Sequence, residues 1–163
     1  MLDLDVLDAE FSRIVGAATG KTPVAPDLAK AYDAYAKDAT IPGADCSAGG
    51  NVSVLEAAFT TDNTPASIAR MAAGVCAYWQ ALPIMGTASH EGTVVVSVLP
   101  TFAALVPAMT AVVTAQVTTS DFDKPYKRLF KAIEDLLKTA SIAITETMPT
   151  VPPSPMTFPE FLQ

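Results

Sequence analysis

Few residues in this chain have side chains suited to chemistry. One histidine, His90, stands beside Glu91 in "GTASHEGT", and Cys46 and Cys76 are the only cysteines. A His-Glu pair offers a hydrogen-bonded imidazole or two donors to a metal, but adjacent loop residues rarely converge on one atom, and zinc sites take three or four protein ligands. With no Cys-x-x-Cys and no second histidine, the sequence supplies no metal site and calls for no cofactor. Cys76, in "ARMAAGVCAYW", lies next to an apolar helix face, where a thiol packs as a small hydrophobe. The nucleophile elbow G-x-S-x-G, the phosphate loop G-x-x-x-x-G-K and the dinucleotide turn G-x-G-x-x-G are all missing. The "GG" at 49 and 50 reads as loop. His90 is therefore expected to be a solvated loop residue and Cys76 a packing residue; no catalytic residue is nominated, and the chain is read as non-enzymatic.

Two clusters instead have the chemistry of contact. In "KPYKRLFK", Lys124, Lys127, Arg128 and Lys131 recur at helical spacing, with Lys138 further along, and form a basic stripe opposite Leu129 and Ile133. Between Lys37 and Lys124 the only positive residue is Arg70. A chain with acids along most of its length and bases gathered on one helix suits head-to-tail contact between copies. The second cluster is "TVPPSPMTFPEFLQ", where Met156, Phe158, Phe161 and Leu162 stand among prolines that disfavour helix and hold the backbone extended. Such side chains fill pockets along a surface, and left in water they promote aggregation.

The elements that must position these clusters follow from composition and spacing. A chain of 163 residues fits one domain with a sizeable core. Only 17% of its residues are charged, against about 25% in typical soluble domains. The net charge of -7 disfavours nucleic acid and anionic membrane surfaces, so neither is an expected partner. Asp3, Asp5, Asp8 and Glu10 occupy the start, where a secretory signal carries a basic region, and two cysteines without a signal read as free thiols of a reduced compartment. Residues 92–120 carry no charge, but Pro100, Pro107, several threonines and Gln116 favour soluble core over a membrane span.

Leu4, Leu7, Phe11, Ile14, Val15 and Ala18 predict a helix over 3–18, and Leu28, Tyr32 and Tyr35 a second over 26–38. After the loop 41–51, Ser53 and Glu56 have capping-box spacing and predict a helix over 53–60. Thr64 and Pro65 open a long helix to Leu82. "TVVVSVL", 93–99, reads as a buried strand, and 101–117 as a helix that Pro107 kinks or breaks. A last helix starts near Lys124 or Pro125, and "SIAITET", 141–147, alternates as a strand able to pair with 93–99. The expected fold is mainly α: a compact multi-helix domain over 1–148 with a small two-stranded β element, then an extended proline-rich arm over 149–163.

Three stretches, "CAYWQALPIMG", "TVVVSVLPTFAALVPAMTAVV" and "ASIAITETMPTVPPSP", together resemble small structural proteins of tailed bacteriophage particles, over about residues 70–155. The resemblance implies a non-enzymatic subunit of a capsid, connector, tail or baseplate. Its partners would be copies of itself and other particle proteins, and its location the virion, with host cytoplasm during assembly. The resemblance transfers no functional residue. The rival expectation is a small cytosolic helical binding protein with an apolar ligand pocket near Tyr78 and Trp79. The arm gives the first prediction. Deleting residues 150–163 should lower the assembled mass while leaving the monomer's melting temperature nearly unchanged; a large drop in that temperature would assign the arm to its own domain.

Overall fold

Each helix begins where a side chain or a proline relieves its first amides. The computed structural model describes residues 3–18, 23–41, 44–61, 64–82, 85–86, 92–98, 101–138, 141–146 and 157–161. In α1 (Leu4–Ala17), Asp3 Oδ1 accepts hydrogen bonds from the amides of Asp5 at 2.9 Å and Val6 at 3.1 Å. Its apolar repeat then buries Leu7, Phe11 and Ile14. α2 (Ala25–Lys37) has Pro26 in its first turn and buries Leu28, Tyr32 and Tyr35. α4 (Pro65–Ala81) starts as expected, with Thr64 Oγ1 accepting from the Ser67 amide at 3.2 Å.

The start of α3 (Val52–Ala58) differs from the capping box read from Ser53 and Glu56. Asn51 is the cap, and its side chain accepts the Ser53 amide at 3.1 Å, so the helix begins one residue earlier. Asparagine caps as well as serine does, and its position ahead of the turn gives it first access to that amide. Of the kink or break expected at Pro107, the break does not occur: α5 (Phe102–Thr119) continues through it. Proline forfeits a single bond, to the Ala103 carbonyl. Both residues are exposed, so that carbonyl is open to solvent. α6 (Pro125–Leu137) buries Leu129, Phe130, Ile133 and Leu137 on one face.

The six helices among the described residues pack in a ring. Each rests on its neighbours in the chain, and α1 closes the circle against α6. Aromatic rings fill the centre: Phe11 meets Phe130 at 4.8 Å between centroids, Tyr32 meets Phe130 at 5.3 Å, and Phe59 stands edge-on to Phe11 at 5.7 Å. Such pairs add about 0.5–1.5 kcal/mol each beyond the area they bury. Gly74 is where α4 crosses α3, since a Cβ there would collide with that of Ala58.

The small β elements lie outside this described helical core. β1 (Thr40–Ile41), β2 (Ala44–Asp45) and β3 (Met85–Gly86) pair antiparallel in that order, within and beside the segment read as irregular loop. The two-stranded element expected from 93–99 and 141–147 does not stand as a pair: β4 (Gly92–Val98), β5 (Ser141–Glu146) and β6 (Thr157–Phe161) form an antiparallel sheet of three, in the order β4-β5-β6. The third strand comes from the proline-rich arm, with Pro159 opposite Ala143. Proline gives no amide hydrogen to a ladder and is confined to edges, where β6 lies. His90, Glu91, Met156 and Leu162 lie outside the described residues.

Ring closure depends on an unusual cap. Lys124, the residue before α6, has the left-handed φ of 46° and offers no side-chain cap. Asp8 of α1 does so instead, accepting the Lys127 amide at 2.8 Å from 119 residues away. Asp8→Ala should therefore lower unfolding free energy by about 0.5–2 kcal/mol, as loss of a helix cap does, measured from the denaturant midpoint. Asp8→Asn, which keeps an accepting oxygen, should recover most of the loss.

Candidate functional site

The cations of the basic stripe are already engaged within the chain. Lys124 and Lys127 both reach Asp5 of α1, at 2.7 and 2.6 Å. Arg128 meets Asp121 at 2.6 Å and Lys131 meets Asp135 at 2.8 Å, while Lys138 pairs with Glu134. Hydrogen bonds from Lys124 and then Lys127 hold the Asp5 carboxyl down to about 2. The stripe thus tethers the N-terminus of α6 to α1 and the preceding turn, and a neighbouring acidic surface would have to compete for it. Of the apolar contact candidates, Phe158 and Phe161 lie in β6.

The residues expected around a ligand pocket are packed core. Tyr78 is fully buried and Trp79 nearly so. Trp79 Nε1 donates to the Tyr32 hydroxyl at 2.9 Å, and the Tyr78 hydroxyl donates to Asp33 Oδ1 at 2.6 Å. The Gly50 amide donates to Asp33 Oδ1 at 2.9 Å and to the Tyr78 oxygen at 3.1 Å, and Lys37 holds the other Asp33 oxygen at 2.7 Å. Burial pushes the Asp33 carboxyl up, but Lys37, Tyr78 and Gly50 together bring it below the ordinary range. Burial, reinforced by Asp33, pushes the Tyr78 hydroxyl upward. The "GG" pair has a definite role here: Gly49 has φ of 70°, and a Cβ on Gly50 would strike the Tyr78 ring. The node ties α2 to α4 and to the Gly49-Gly50 turn through paired polar groups.

Cys46 and Cys76 are both buried, and neither is in a disulfide. Gln80 Nε2 donates to the Cys76 sulfur at 3.2 Å. Among the described residues no group of three or more His, Cys, Asp or Glu is arranged to hold a metal ion. No helix among them is long and apolar enough to cross a membrane.

Two surface features remain among the described residues: one falls in the uncharged run 92–120, which the sequence assigned to soluble core, and the other was not foreseen. The first is the outer side of α5, where Ala103, Pro107, Ala111 and Thr114 are exposed and no charged residue occurs in the helix. At its end Val117 and Phe122 are each 58% exposed. They border a notch of about 190 Å³ that also reaches Met71, Val113 and Leu129. The second is a cleft of about 740 Å³ between α1 and α2, floored by Leu7, Ile14 and Tyr35. Its sequence signal was Val6, an apolar residue off the buried stripe of α1, together with alanines at 31 and 34 where a solvated helix usually carries charge.

Compared with known protein families, curated proteins and solved structures, the chain matches none of them.

The Asp5 clamp titrates in a definite direction. Its folded pKa lies below its unfolded value, so its contribution is complete above about pH 4 and is lost as pH falls toward about 2. Asp5→Asn should lower stability near neutral pH and flatten the loss of stability over that acid window. In the Lys124→Gly, Lys127→Met double variant, NMR titration should show the Asp5 carboxyl returning toward about 4.

Proposed function

We propose that this chain is a non-enzymatic structural subunit that works by packing against copies of itself and neighbouring proteins, in the manner of a capsid, connector, tail or baseplate component of a bacteriophage particle. Its place would be the virion, with host cytoplasm during assembly. The observation that supports this reading is the uncharged outer side of α5 ending in exposed Val117 and Phe122. Copies of a protein with net charge -7 repel one another overall. They can meet where no carboxylate is brought against another, and α5 offers such a face. Val117 and Phe122 are each 58% exposed, so burying the rest would stabilise the contact by roughly 1–2 kcal/mol per side chain.

The proline-rich arm fits the same role as a strap. β6 is an edge strand joined to β5 through residues 147–156, and the identical pairing can be made by the arm of an adjacent copy, an exchange that creates a subunit link from contacts the chain already makes. A second reading, a small helical binding protein with an apolar ligand site, draws support from the α1–α2 cleft in place of the Tyr78–Trp79 region.

The assembly reading predicts a discrete oligomer of the purified chain by light scattering and ordered rings, tubes or particle fragments by electron microscopy. Val117→Lys with Phe122→Lys should dissociate it while leaving the far-ultraviolet circular dichroism unchanged, because both side chains are already exposed. A wild-type chain that stays monomeric at high concentration would remove the proposal.

A further inference from the structure

We infer that the α1–α2 cleft is a docking groove for a basic amphipathic helix of another protein. Its two walls are helical stripes. On α1, Val6, Glu10 and Arg13 line the groove at intervals of one turn; on the other wall, Asp27, Ala31, Ala34 and Asp38 do the same along α2 and its C-cap. Positions 27 to 38 cover three turns, about 16 Å at the α-helical rise of about 1.5 Å per residue. A third helix laid between two such stripes meets ridges spaced as its own are.

The floor and the rim specify the occupant's chemistry. Leu7, Ile14 and Tyr35 close the bottom and are themselves buried, so the groove has an apolar base without opening into the core. Above them Val6 is 65% exposed, the largest such fraction among the large hydrophobics left on this surface. Ala31 and Ala34 lack bulk on the opposite wall, which lets a partner backbone come close. An apolar stripe on the incoming helix answers this strip, in the way helices are held in hydrophobic grooves.

Charge decides between helices. Four carboxylates line the cleft, Asp3, Glu10, Asp27 and Asp38, against two cations, Arg13 and Lys30. Arg13 is bound by its own neighbour, its Nε donating to Glu10 Oε2 at 2.8 Å. Glu10 is engaged by Arg13 and Asp3 caps α1, but the cleft stays net negative. Lysines or arginines flanking the apolar stripe of a partner are therefore drawn to its α2 rim, and an acidic helix is repelled there and by the net charge of -7. No helix among the described residues meets the description. The cationic one, α6, buries its apolar face in the core and pairs its cations at home, so the partner is a different protein. The cleft is also an open trough with charged walls, which suits a helix better than a small apolar molecule, whose surface is largely enclosed when bound.

The test uses the full-length protein and a fluorescent synthetic helix with leucines spaced i, i+3, i+4, i+7 and lysines on its flanks. Binding read by anisotropy should be at least about tenfold weaker for the same peptide with its leucines scrambled and for its glutamate counterpart. Ala34→Trp, at an exposed position, should abolish binding by filling the groove. Asp27→Lys with Asp38→Lys should reverse the preference in favour of the glutamate helix. Amide NMR shifts should centre on Val6, Ala31 and Ala34, both in the wild type and in the Val117→Lys, Phe122→Lys variant, which separates this site from self-assembly. Equal binding of the scrambled peptide, or loss of binding through the α5 substitutions in place of Ala34→Trp, would overturn the inference. So would dodecylammonium shifting the groove amides when the leucine-lysine helix does not, since the site would then belong to small amphiphiles.

Discussion

The structure turns on the closure of α1 onto α6. These helices lie at opposite ends of the helical sequence, and bringing them together carries the chain entropy of a loop of more than a hundred residues. What repays it is concentrated. Phe11 enters the aromatic centre beside Phe130, Asp8 caps the first turn of α6, and Asp5 holds both Lys124 and Lys127. The exposed ion pairs alone would contribute little. Their weight comes from acting beside a buried cap, on a helix start whose own residue, Lys124, sits in a left-handed conformation and has no cap to give. Without α1 the N-terminus of α6 would keep unsatisfied amides against the core.

Inside the ring, polar groups are tolerated because they are paired. Tyr35 donates its hydroxyl to Glu134 at 3.0 Å, and Lys138 completes that carboxylate. Tyr78, Asp33, Lys37 and Gly50 form the other node. Each ties α2 to an element distant in sequence, and each would be costly if half-satisfied. Together they fix the order of helices around the ring in a way that interchangeable aliphatic contacts do not.

The same economy shapes the outer surface. A chain with 17% charged residues devotes several of them to internal pairs, and none falls within α5. The acids that remain are not evenly spread: several gather on the rims of the α1–α2 groove. In the proposed readings one surface would meet its own kind and another a cationic partner, from a single distribution of charge.

The sequence by itself determined the helices. The periodicity of Leu7, Phe11 and Ile14, the Thr64-Pro65 start and the amphipathic stripe of α6 are local signals, since burial of one face and satisfaction of the first amides act within a few turns. It also made plain that His90 and Cys76 carry no recognisable motif, and that the arm is too rich in proline for helix. What only the tertiary structure decided was partnership. Nothing near Asp8 in sequence marks it as the cap of a helix 119 residues later, and the basic stripe gave no sign that Asp5 and Asp121 would engage it. The groove likewise needs two helices to have walls, so Val6 and Ala34 are unremarkable until α1 and α2 lie side by side. Periodicity reports which side of a helix is buried; which other helix covers it, and which charges that meeting consumes, is settled by contacts between residues the chain keeps far apart.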